Sequence, residues 1–326
     1  MEELSGRNKR ANGAGKTRLP VLDTSEKNRG SPGAALVTQA LPGVQSRPYA
    51  AFAGGPARRL GFRGRLNGVE MRRKHDALAG IGLMQSPEEW AARSGHLAAA
   101  LASLIREHAE TRTGRGLDIG CQNGDLIDDV AQLTGIAWAG IDPILAVPRA
   151  TPNGAPIGPG RANDIPFPDD TFDAALFANV FEHIAPAERQ PSLNEMFRVL
   201  APGGVVAGQI PNPYFPIENH SRLPFFGFLP STLQRRYWQL SRVPWEHDFC
   251  VVTMRHLRRH ATRAGFVVER AAAFNYPPDA YPRQVRWLAV GLRPVMWVYP
   301  WSWQFVLRKP AVSPSPAPSR RRAGRR

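Results

Sequence analysis

The 326-residue chain has only two cysteines, and its first 30 residues contain no apolar run of signal-peptide length. Cys121 and Cys250 stand alone and far apart, so the sequence defines neither a disulfide framework nor a cysteine zinc site. A chain without an apolar leader is not expected to be exported. Together these absences predict a reducing, cytoplasmic location.

Basic residues are not in excess in the middle of the chain, although its formal net charge is +15. Residues 1–75 carry 15 Lys and Arg against 5 Asp and Glu, and residues 308–326 carry 7 against none. Residues 76–307 carry 20 against 22. A nucleic-acid-binding domain concentrates basic residues on its own folded surface. This distribution therefore argues against nucleic acid as a partner.

The two basic ends also differ from the middle in composition. Residues 1–75 are rich in Gly, Pro, Ala and Arg and have few periodic apolar positions. Such a segment does not bury enough surface to offset the entropy lost on ordering. We predict a disordered basic extension over 1–75, one folded domain over 76–309, and a disordered basic tail over 310–326.

A glycine turn at residues 118–124 (DIGCQNG) is the most informative local pattern. A short apolar run precedes it, and a stretch with helical periodicity follows it, so the order is strand, turn, helix. This order forms a nucleotide-binding cradle, in which glycine lets the backbone approach a ligand closely. Asp142 ends the next apolar run, about 20 residues further on, where an acid is placed to bind ribose hydroxyls.

Three further motifs follow in order at residues 163–173 (NDIPFPDDTFD), 179–184 (NVFEHI) and 195–204 (EMFRVLAPGG). With the glycine turn and residues 140–143 (GIDP), this series resembles the class I S-adenosylmethionine-dependent methyltransferases. The resemblance and the alternation of apolar strands with helices indicate an α/β fold of the Rossmann-like, doubly wound type. We expect a mostly parallel seven-stranded sheet with an antiparallel last strand.

The resemblance implies S-adenosylmethionine as the cofactor and gives roles to individual residues. Asp118 is expected to orient the glycine loop and the methionyl amine, and Asp142 to take the ribose hydroxyls. Asp164 is expected to accept from the adenine amino group, with the backbone of Ile165 nearby. Asn179 ends the fourth strand where the methyl group is expected. The full set of cofactor-binding candidates is Asp118, Gly120, Cys121, Gly124, Asp142, Asp164, Ile165 and Asn179.

Some of these residues also have a purely structural explanation. Asp142 precedes Pro143 and is able to start a turn, and Asp164 is able to cap one. Gln122 stands where many members of the family have glycine, so a positive φ there would cost about 1 kcal/mol. The turn reads D-x-G-x-x-x-G rather than G-x-G-x-x-G, which argues against a nicotinamide-dependent dehydrogenase.

Three segments depart from a regular alternation of strands and helices. Residues 143–160 contain five prolines, which prevent a regular helix and predict a short or irregular third strand. Residues 211–248 form an insertion rich in aromatic residues and proline. Residues 276–301 are predicted to form an aromatic β-hairpin insertion before the last strand.

The sequence lacks two motifs of methyltransferases that act on nucleobases, which narrows the range of expected acceptors. No Pro-Cys pair is present for attack on a pyrimidine ring, and the fourth strand ends in NVFE instead of Asn/Asp-Pro-Pro-aromatic. The insertion resembles a pattern found in methyltransferases of bacterial glycan and cell-envelope clusters. We therefore expect O-methylation of a small molecule, a sugar or a lipid-linked glycan. Two alternatives stay open: a donor-binding scaffold without catalysis, and an RNA methyltransferase steered by the basic ends.

The catalytic candidates are Glu182, His183 and His220. His183 follows the expected methyl position, and an imidazole there is able to take a proton from a hydroxyl. The alternative role for the Glu182–His183 pair is capping. Glu218 and His220 alternate on a segment expected to be extended, so they share a face and line a pocket or bind a metal. No third ligand is evident, and we predict no metal site. Residues 246–248 (EHD) supply further candidates.

Residues 283–303 combine four tryptophans and a tyrosine with arginine. This composition suits a membrane interface, and equally a helix packed over the sheet or a contact between subunits. The apolar run is too short to span a bilayer. A peripheral contact at the inner face of the membrane, aided by the basic ends, would suit a lipid-linked acceptor. The sequence gives no oligomeric state.

Overall fold

The computed structural model describes residues 87–109, 114–241, 243, 247–281, 283 and 286–311. The predicted disordered extension over 1–75 lies outside the described residues, as does the predicted tail beyond residue 311. Glu246 of the candidate triplet at 246–248 also lies outside them.

The described residues contain one sheet of eight strands. Across the sheet the strands follow the order β3-β4-β2-β1-β5-β6-β8-β7. In chain order they are β1 (Arg115–Ile119), β2 (Ala137–Ile141), β3 (Arg149–Ala150), β4 (Pro156–Gly158), β5 (Phe172–Ala178), β6 (Leu200–Pro211), β7 (Val267–Phe274) and β8 (Ser302–Arg308).

The five strands β4, β2, β1, β5 and β6 are parallel, and β8 runs antiparallel to both β6 and β7. The predicted doubly wound, mostly parallel sheet is therefore confirmed. The predicted count of seven strands is corrected to eight. The additional strand is β3, a two-residue pairing antiparallel to β4 inside the proline-rich segment. The third parallel strand, β4, has three residues and is as short as the prolines predict.

Helices cover both faces of the sheet. Leu193 and Leu257 belong to the core cluster on one face, and Leu101 and Ile127 belong to the cluster on the other. The described helices are α1 (Pro87–His108), α2 (Ile127–Thr134), α3 (Arg189–Val199), α4 (Ser231–Trp238), α5 (Met254–Ala264), α6 (Arg286–Gly291) and α7 (Arg293–Val298). Accordingly α1 and α2 cover one face, and α3 and α5 cover the other. Among the described residues, no helix is long and apolar enough to cross a membrane.

Local sequence explains where the helices end. Gly135 and Gly265 follow α2 and α5 with φ of 72° and 102°, a backbone conformation in which glycine avoids steric cost. Thr253 begins α5 with a capping box, because its hydroxyl accepts from the backbone of His256 and the His256 ring accepts in return.

The prediction of a β-hairpin over 276–301 is wrong. The segment contains a short 3-10 helix (Pro278–Ala280) and then α6 and α7. Pro294 lies in the first turn of α7, where its missing N–H has no helical partner to lose. The aromatic composition is compatible with strands, but residues 286–298 form helices and pair with no strand of the described sheet.

The site is positioned by the strand order. β1 lies between β2 and β5, so the chain leaves β1 toward one edge of the sheet and returns to its other side for β5. In doubly wound folds a crevice opens at the carboxyl ends of the strands at this switch point. The glycine turn, Asp142 and Asn179 follow the carboxyl ends of β1, β2 and β5 respectively.

Candidate active site

The glycine turn after β1 alternates left-handed residues. Gly120, Gln122 and Gly124 have φ of 84°, 50° and 85°. A Cβ at Gly120 would lie 2.4 Å from Val180 Cγ2, so glycine is required there by packing as well as by backbone conformation. The turn is fixed to β2, since the backbone N–H groups of Gly120 and Cys121 both donate to the Ile141 carbonyl. Gln122 thus has the positive φ at which a residue other than glycine costs about 1 kcal/mol.

Two acids lie at the carboxyl ends of neighbouring strands. Asp118 is on β1 and 3% exposed, and Asp142 follows β2 and is 7% exposed. Burial, and then the charge of Asp142, raises the pKa of Asp118 to about 7. The two carboxyl groups therefore create a region of negative potential, and a cationic ligand bound there would stabilise their ionised forms.

Asp142 organises the turn in addition to facing the crevice. One carboxylate oxygen accepts from the backbone N–H of Gln122 at 2.9 Å, and the other accepts from that of Ile144 at 2.8 Å. The structural role foreseen for this residue, starting a turn, is thus present. Each carboxylate oxygen has a further lone pair, so these bonds leave acceptor capacity for a ribose diol.

Cys121 packs against Gly140 of β2. Its side chain is buried, and its sulfur lies 2.7 Å from the position that a Cβ on Gly140 would take. Burial, followed by the charges of Asp118 and Asp142, raises the pKa of the thiol. Any contribution of Cys121 to a cofactor would come from its backbone.

The proline-rich segment holds the glycine turn from outside. Arg149 donates to the Asn123 side chain at 2.5 Å, and the Thr151 hydroxyl donates to Asp128 at 2.5 Å. The β3–β4 pairing thereby supports both the turn and the first residues of α2. The sequence offered no signal for this role beyond the prolines themselves.

Residues 163–169 form the loop that is predicted to meet the adenine, called the adenine loop below. Asp164 is exposed, and its backbone N–H donates to the Arg161 carbonyl. The N–H of Ile165, expected beside adenine, donates to Glu195 Oε2 at 3.0 Å and is therefore engaged within the protein. The carboxylate of Asp164 thus has access to solvent and to a ligand, whereas the backbone of Ile165 supports the loop.

Glu195 and Arg198 of α3 fasten this loop, a role that sequence reasoning missed. Arg198 pairs with both oxygens of Glu195 and with Asp169. It also donates to the carbonyls of Ile165 and Phe167 at 3.0 and 2.8 Å. The RVL motif that carried the family resemblance therefore has a physical explanation: its arginine holds the adenine loop against α3.

At the end of β5, Asn179 stands with φ of 56°. Its side-chain oxygen accepts from Gln209 at 3.2 Å, and its backbone N–H donates to the Gln209 carbonyl at 2.7 Å. Gln209, on β6, also contacts the Tyr276 hydroxyl at 3.2 Å. A buried polar chain thus runs from the expected methyl position toward the segment before α6.

Glu182, His183 and His220 come together beside this position. One ligand atom from each lies within 4.8 Å of the others. Glu182 is 1% exposed, and neither of its carboxylate oxygens has a hydrogen-bond partner within the described residues. The three catalytic candidates therefore form one cluster, although His220 comes from the insertion.

The histidines of the cluster are each held by a second carboxylate. His183 Nδ1 lies 3.3 Å from Asp248, and His220 Nδ1 lies 2.9 Å from Glu218. Burial lowers the pKa of His183, but the hydrogen bond that His183 donates to Asp248 and the charge of Glu182 outweigh it and raise the pKa to about 9. Burial raises the pKa of Glu182.

The expectation that Glu218 and His220 share a face of an extended segment is corrected. Residues 219–221 form a turn. Within it the Glu218 carboxylate accepts from the backbone N–H groups of His220 and Ser221 and from the His220 ring. The two side chains meet because the chain folds back, and His220 also stacks on Phe249 at a centroid distance of 4.3 Å.

The donor set of the crevice fits S-adenosylmethionine. Asp118 and Asp142 present buried negative charge to a sulfonium nucleoside with a free amine, and Asp164 presents an exposed carboxylate to the adenine end. The predicted cofactor residues do surround one edge of the sheet. Their roles toward the cofactor remain predictions.

A family model described as a methyltransferase domain matches residues 91–271. Because the match covers more than half of the chain, the protein belongs to this family. The predicted recognition of a class I methyltransferase domain with S-adenosylmethionine as its cofactor is thereby confirmed.

The chain is also similar to two curated proteins, the ubiquinone/menaquinone biosynthesis C-methyltransferases UbiE of Geobacter sulfurreducens and Geotalea daltonii. Identity to the first is 36% over 104 residues, which is 28% of this chain and 39% of the relative. Identity to the second is 33% over 122 residues, 33% of this chain and 50% of the relative. The chain thus spans half or less of the length of these relatives.

Three solved structures are similar in fold. The [4+2]-cyclase SpnF has 17% identity and a TM-score of 0.44, covering 66% of this chain and 81% of its own. A SAM-dependent methyltransferase from Archaeoglobus fulgidus has 15% identity and a TM-score of 0.41, covering 66% and 94%. One from Mesorhizobium loti has 16% identity and a TM-score of 0.41, covering 64% and 95%.

Proposed function

We propose that the protein transfers the methyl group of S-adenosylmethionine to a hydroxyl oxygen of a small molecule, a sugar or a lipid-linked glycan. One observation carries the proposal. A cluster of one buried carboxylate and two imidazoles begins three residues after Asn179, and Asn179, like the acids Asp118 and Asp142, lies at the carboxyl ends of the parallel strands. Such groups accept the proton that a hydroxyl loses as it is alkylated.

The residues at the donor half of the site, Asp118, Asp142 and Asp164, bind and orient S-adenosylmethionine. Asp142 takes the ribose hydroxyls and holds the glycine turn, Asp118 faces the methionyl amine, and Asp164 accepts from the adenine amino group. Bound S-adenosylmethionine supplies a methyl group on a cationic sulfur. Most of the rate in such a transfer comes from holding nucleophile and methyl group in line, so rigid placement of these carboxylates is what the fold contributes.

The acceptor half holds the hydroxyl and withdraws its proton. Asn179, which Gln209 holds by a hydrogen bond, follows β5 and precedes Glu182 by three residues. Glu182, His183 and His220 converge on the position that an acceptor oxygen would take, and Glu218 and Asp248 keep the imidazoles oriented. Orientation of a histidine by a carboxylate is a common arrangement in acid–base catalysis.

Two arginines support an acceptor with an anionic group. Arg93 of α1 lies over the rings of Tyr276 and Trp301 at 4.6 and 5.1 Å, so it adjoins the polar chain from Asn179. The Nε of Arg222 is buried without a hydrogen-bond partner among the described residues. The charge of Arg93 acts on Arg222, and two cations near each other suit a phosphate or carboxylate, as a lipid-linked sugar carries.

Exposed apolar side chains of α6 and α7 support contact with a membrane surface. Trp287 and Trp297 are 72% and 84% exposed. The segment also exposes Val290, Leu292, Val295, Val298 and Tyr299. Tryptophan and tyrosine partition to the lipid interface, so the segment would bring the crevice near a lipid-linked acceptor.

A second candidate is C-methylation. It is favoured by the similarity to the two UbiE proteins, whose names describe C-methyltransferases of ubiquinone and menaquinone biosynthesis. An activated ring carbon also requires proton withdrawal from a neighbouring hydroxyl. Transfer of a ¹³C-labelled methyl group, followed by NMR of the product, separates methyl ethers from methylated carbon.

Calorimetric titration with S-adenosylmethionine tests the donor half of the proposal. We expect Asp142→Ala to weaken binding at least tenfold, about 1.4 kcal/mol or more, because a charged hydrogen-bond acceptor for the ribose is lost. Asp129→Ala, which removes an exposed acid of α2 near the same turn, is the matched control and keeps wild-type affinity. Equal affinities in the wild type and Asp142→Ala contradict the ribose assignment.

A further inference from the structure

Glu182 occupies an unfavourable environment for a carboxylate. It is 1% exposed, and both of its oxygens are without a hydrogen-bond partner within the part of the chain that the structure describes. Burial of a polar group without a partner is costly, and burial of a charge is costlier still. A residue kept in this state indicates a partner that the described residues do not provide.

Two imidazoles face the same position. His220 Nε2 lies 3.9 Å from Glu182 Oε1, and the His183 and His220 ring centroids are 5.2 Å apart. One nitrogen from each ring and one Glu182 oxygen all lie within 4.8 Å of one another. Two nitrogens and one oxygen form a donor set that suits zinc, cobalt and other divalent transition metals.

The surroundings of the two rings match those of metal-bound histidines. Histidine ligands almost always donate their second ring N–H to a carboxylate, which fixes the tautomer and the ring orientation. Here Asp248 lies beside His183 Nδ1 and Glu218 beside His220 Nδ1. Glu218 is itself fixed by the backbone N–H groups of His220 and Ser221. Its contact with Nδ1 leaves Nε2 as the His220 nitrogen that faces Glu182.

We propose that Glu182, His183 and His220 bind one divalent transition metal ion of the zinc type. Tetrahedral zinc with ligands at about 2.0–2.1 Å spaces them roughly 3.3 Å apart, so the three side chains draw together by about 1 Å. Three protein ligands leave an open position, as catalytic zinc sites do. Placed next to Asn179, that position would take the acceptor oxygen and lower the pKa of its hydroxyl. This role rests on the proposed function, whereas metal binding itself does not.

Without a metal, the same cluster would be a proton-sharing network, in which a proton held by an imidazole faces the Glu182 carboxylate across 3.9 Å. The two arrangements differ in an observable way. A proton-sharing network binds no cobalt, whereas a site with two imidazoles and one carboxylate binds Co²⁺ with visible absorption bands that report its ligands.

The test uses the full chain, treated with chelator and then dialysed against Co²⁺ or Zn²⁺. We expect one metal ion per chain by elemental analysis, visible Co²⁺ bands, and a rise in Tm with added Zn²⁺. His220→Ala and Glu182→Gln should each weaken Co²⁺ binding at least tenfold. The matched control is His108→Ala, a variant that should bind metal as the wild type does. The His108 ring pairs with Glu269, and its carbonyl accepts from Arg308, at the end of the sheet opposite to the carboxyl ends of the parallel strands.

Glu182→Gln keeps the shape of the side chain, and thermal unfolding without metal shows whether each variant is folded. A wild type that retains no metal overturns the proposal, as do folded variants that bind Co²⁺ as tightly as the wild type. These results are separate from the proposed function. Metal binding without methyl transfer overturns the function only, and methyl transfer by a chain that binds no metal overturns the metal site only.

Discussion

Gln122 shows how one residue is held in a conformation that its type disfavours. Its φ of 50° would cost about 1 kcal/mol relative to glycine. The backbone N–H of Gln122 donates to the Asp142 carboxylate at 2.9 Å, and this charged hydrogen bond offsets a cost of that size. Asp142 therefore stabilises the glycine turn although position 122 carries glutamine.

Asp118 gives a prediction about pH. A carboxyl whose pKa is raised to about 7 is half protonated near neutrality, and a cationic ligand binds its ionised form preferentially. We expect affinity for S-adenosylmethionine to be constant above pH 7 and to fall by up to about tenfold per pH unit below it. Calorimetry between pH 5.5 and 8, in buffers of different ionisation enthalpy, measures both the affinity and the protons released.

The control for this prediction is Asp118→Asn, which has no proton to lose. Its affinity should be lower than that of the wild type above pH 7 and should not change across the same range. A wild-type affinity that does not vary from pH 5.5 to 8 would exclude Asp118 as a partner of the cation.

At the scale of elements, the adenine loop depends on α3. The loop over residues 163–169 forms no strand or helix, and its carbonyls at Ile165 and Phe167 are held by Arg198. The planar guanidinium reaches both carbonyls, Glu195 and Asp169 at once. A point charge does not reproduce this fork, so lysine is not an equivalent residue here.

Arg198→Ala is predicted to loosen the loop. We expect the free energy of unfolding to fall by about 2 kcal/mol or more, because carbonyls and carboxylates lose charged hydrogen bonds. Affinity for S-adenosylmethionine should fall with it, and Arg198→Lys should restore little of either. Urea unfolding and calorimetry measure the two effects.

Arg258→Ala on α5 is the matched control for that experiment, because it removes an exposed arginine from another helix. It should change the stability by less than about 0.5 kcal/mol. If Arg198→Ala behaves like Arg258→Ala, the loop is held by its own prolines and not by the helix.

At the scale of the whole molecule, charge and apolar surface are distributed unevenly. The excess of basic residues lies at the two ends, but Arg308 and Lys309, counted with the basic end, belong to the fold. Arg308 pairs with Glu269 and donates to the His108 carbonyl, and Lys309 donates to Asp170 and the Leu200 carbonyl. The exposed aromatic residues, by contrast, gather on α6 and α7.

This distribution predicts binding to anionic vesicles through α6 and α7. Replacing Trp287 and Trp297 together by serine should reduce the partition coefficient about tenfold or more, because two exposed aromatic side chains no longer bury apolar area in the lipid. Co-sedimentation with vesicles containing phosphatidylglycerol measures it.

The paired replacement of Leu133 and Val267 by serine removes two exposed apolar residues elsewhere and should leave vesicle binding unchanged. Equal loss in both double variants would mean that the aromatic segment has no special role. In that case α6 and α7 serve packing or subunit contact instead.

The sequence by itself determined the doubly wound fold and the identity of the cofactor. Strand, glycine turn and helix are adjacent in the chain, so the spacing of residues 118–142 is enough to predict their local structure. The third strand was foreseen as short because proline acts on its own backbone. The additional strand β3 was not foreseen, since a two-residue pairing leaves no periodic pattern in the sequence.

Only the tertiary structure decided the acceptor side. Glu182, His220 and Asp248 are separated by tens of residues, and their meeting depends on how the insertion folds back over the end of β5. The sequence likewise does not predict whether helices or a hairpin follow Tyr276, because aromatic residues are compatible with both. Local spacing specifies a motif, whereas a cluster assembled from distant segments is specified by the packing of the whole domain.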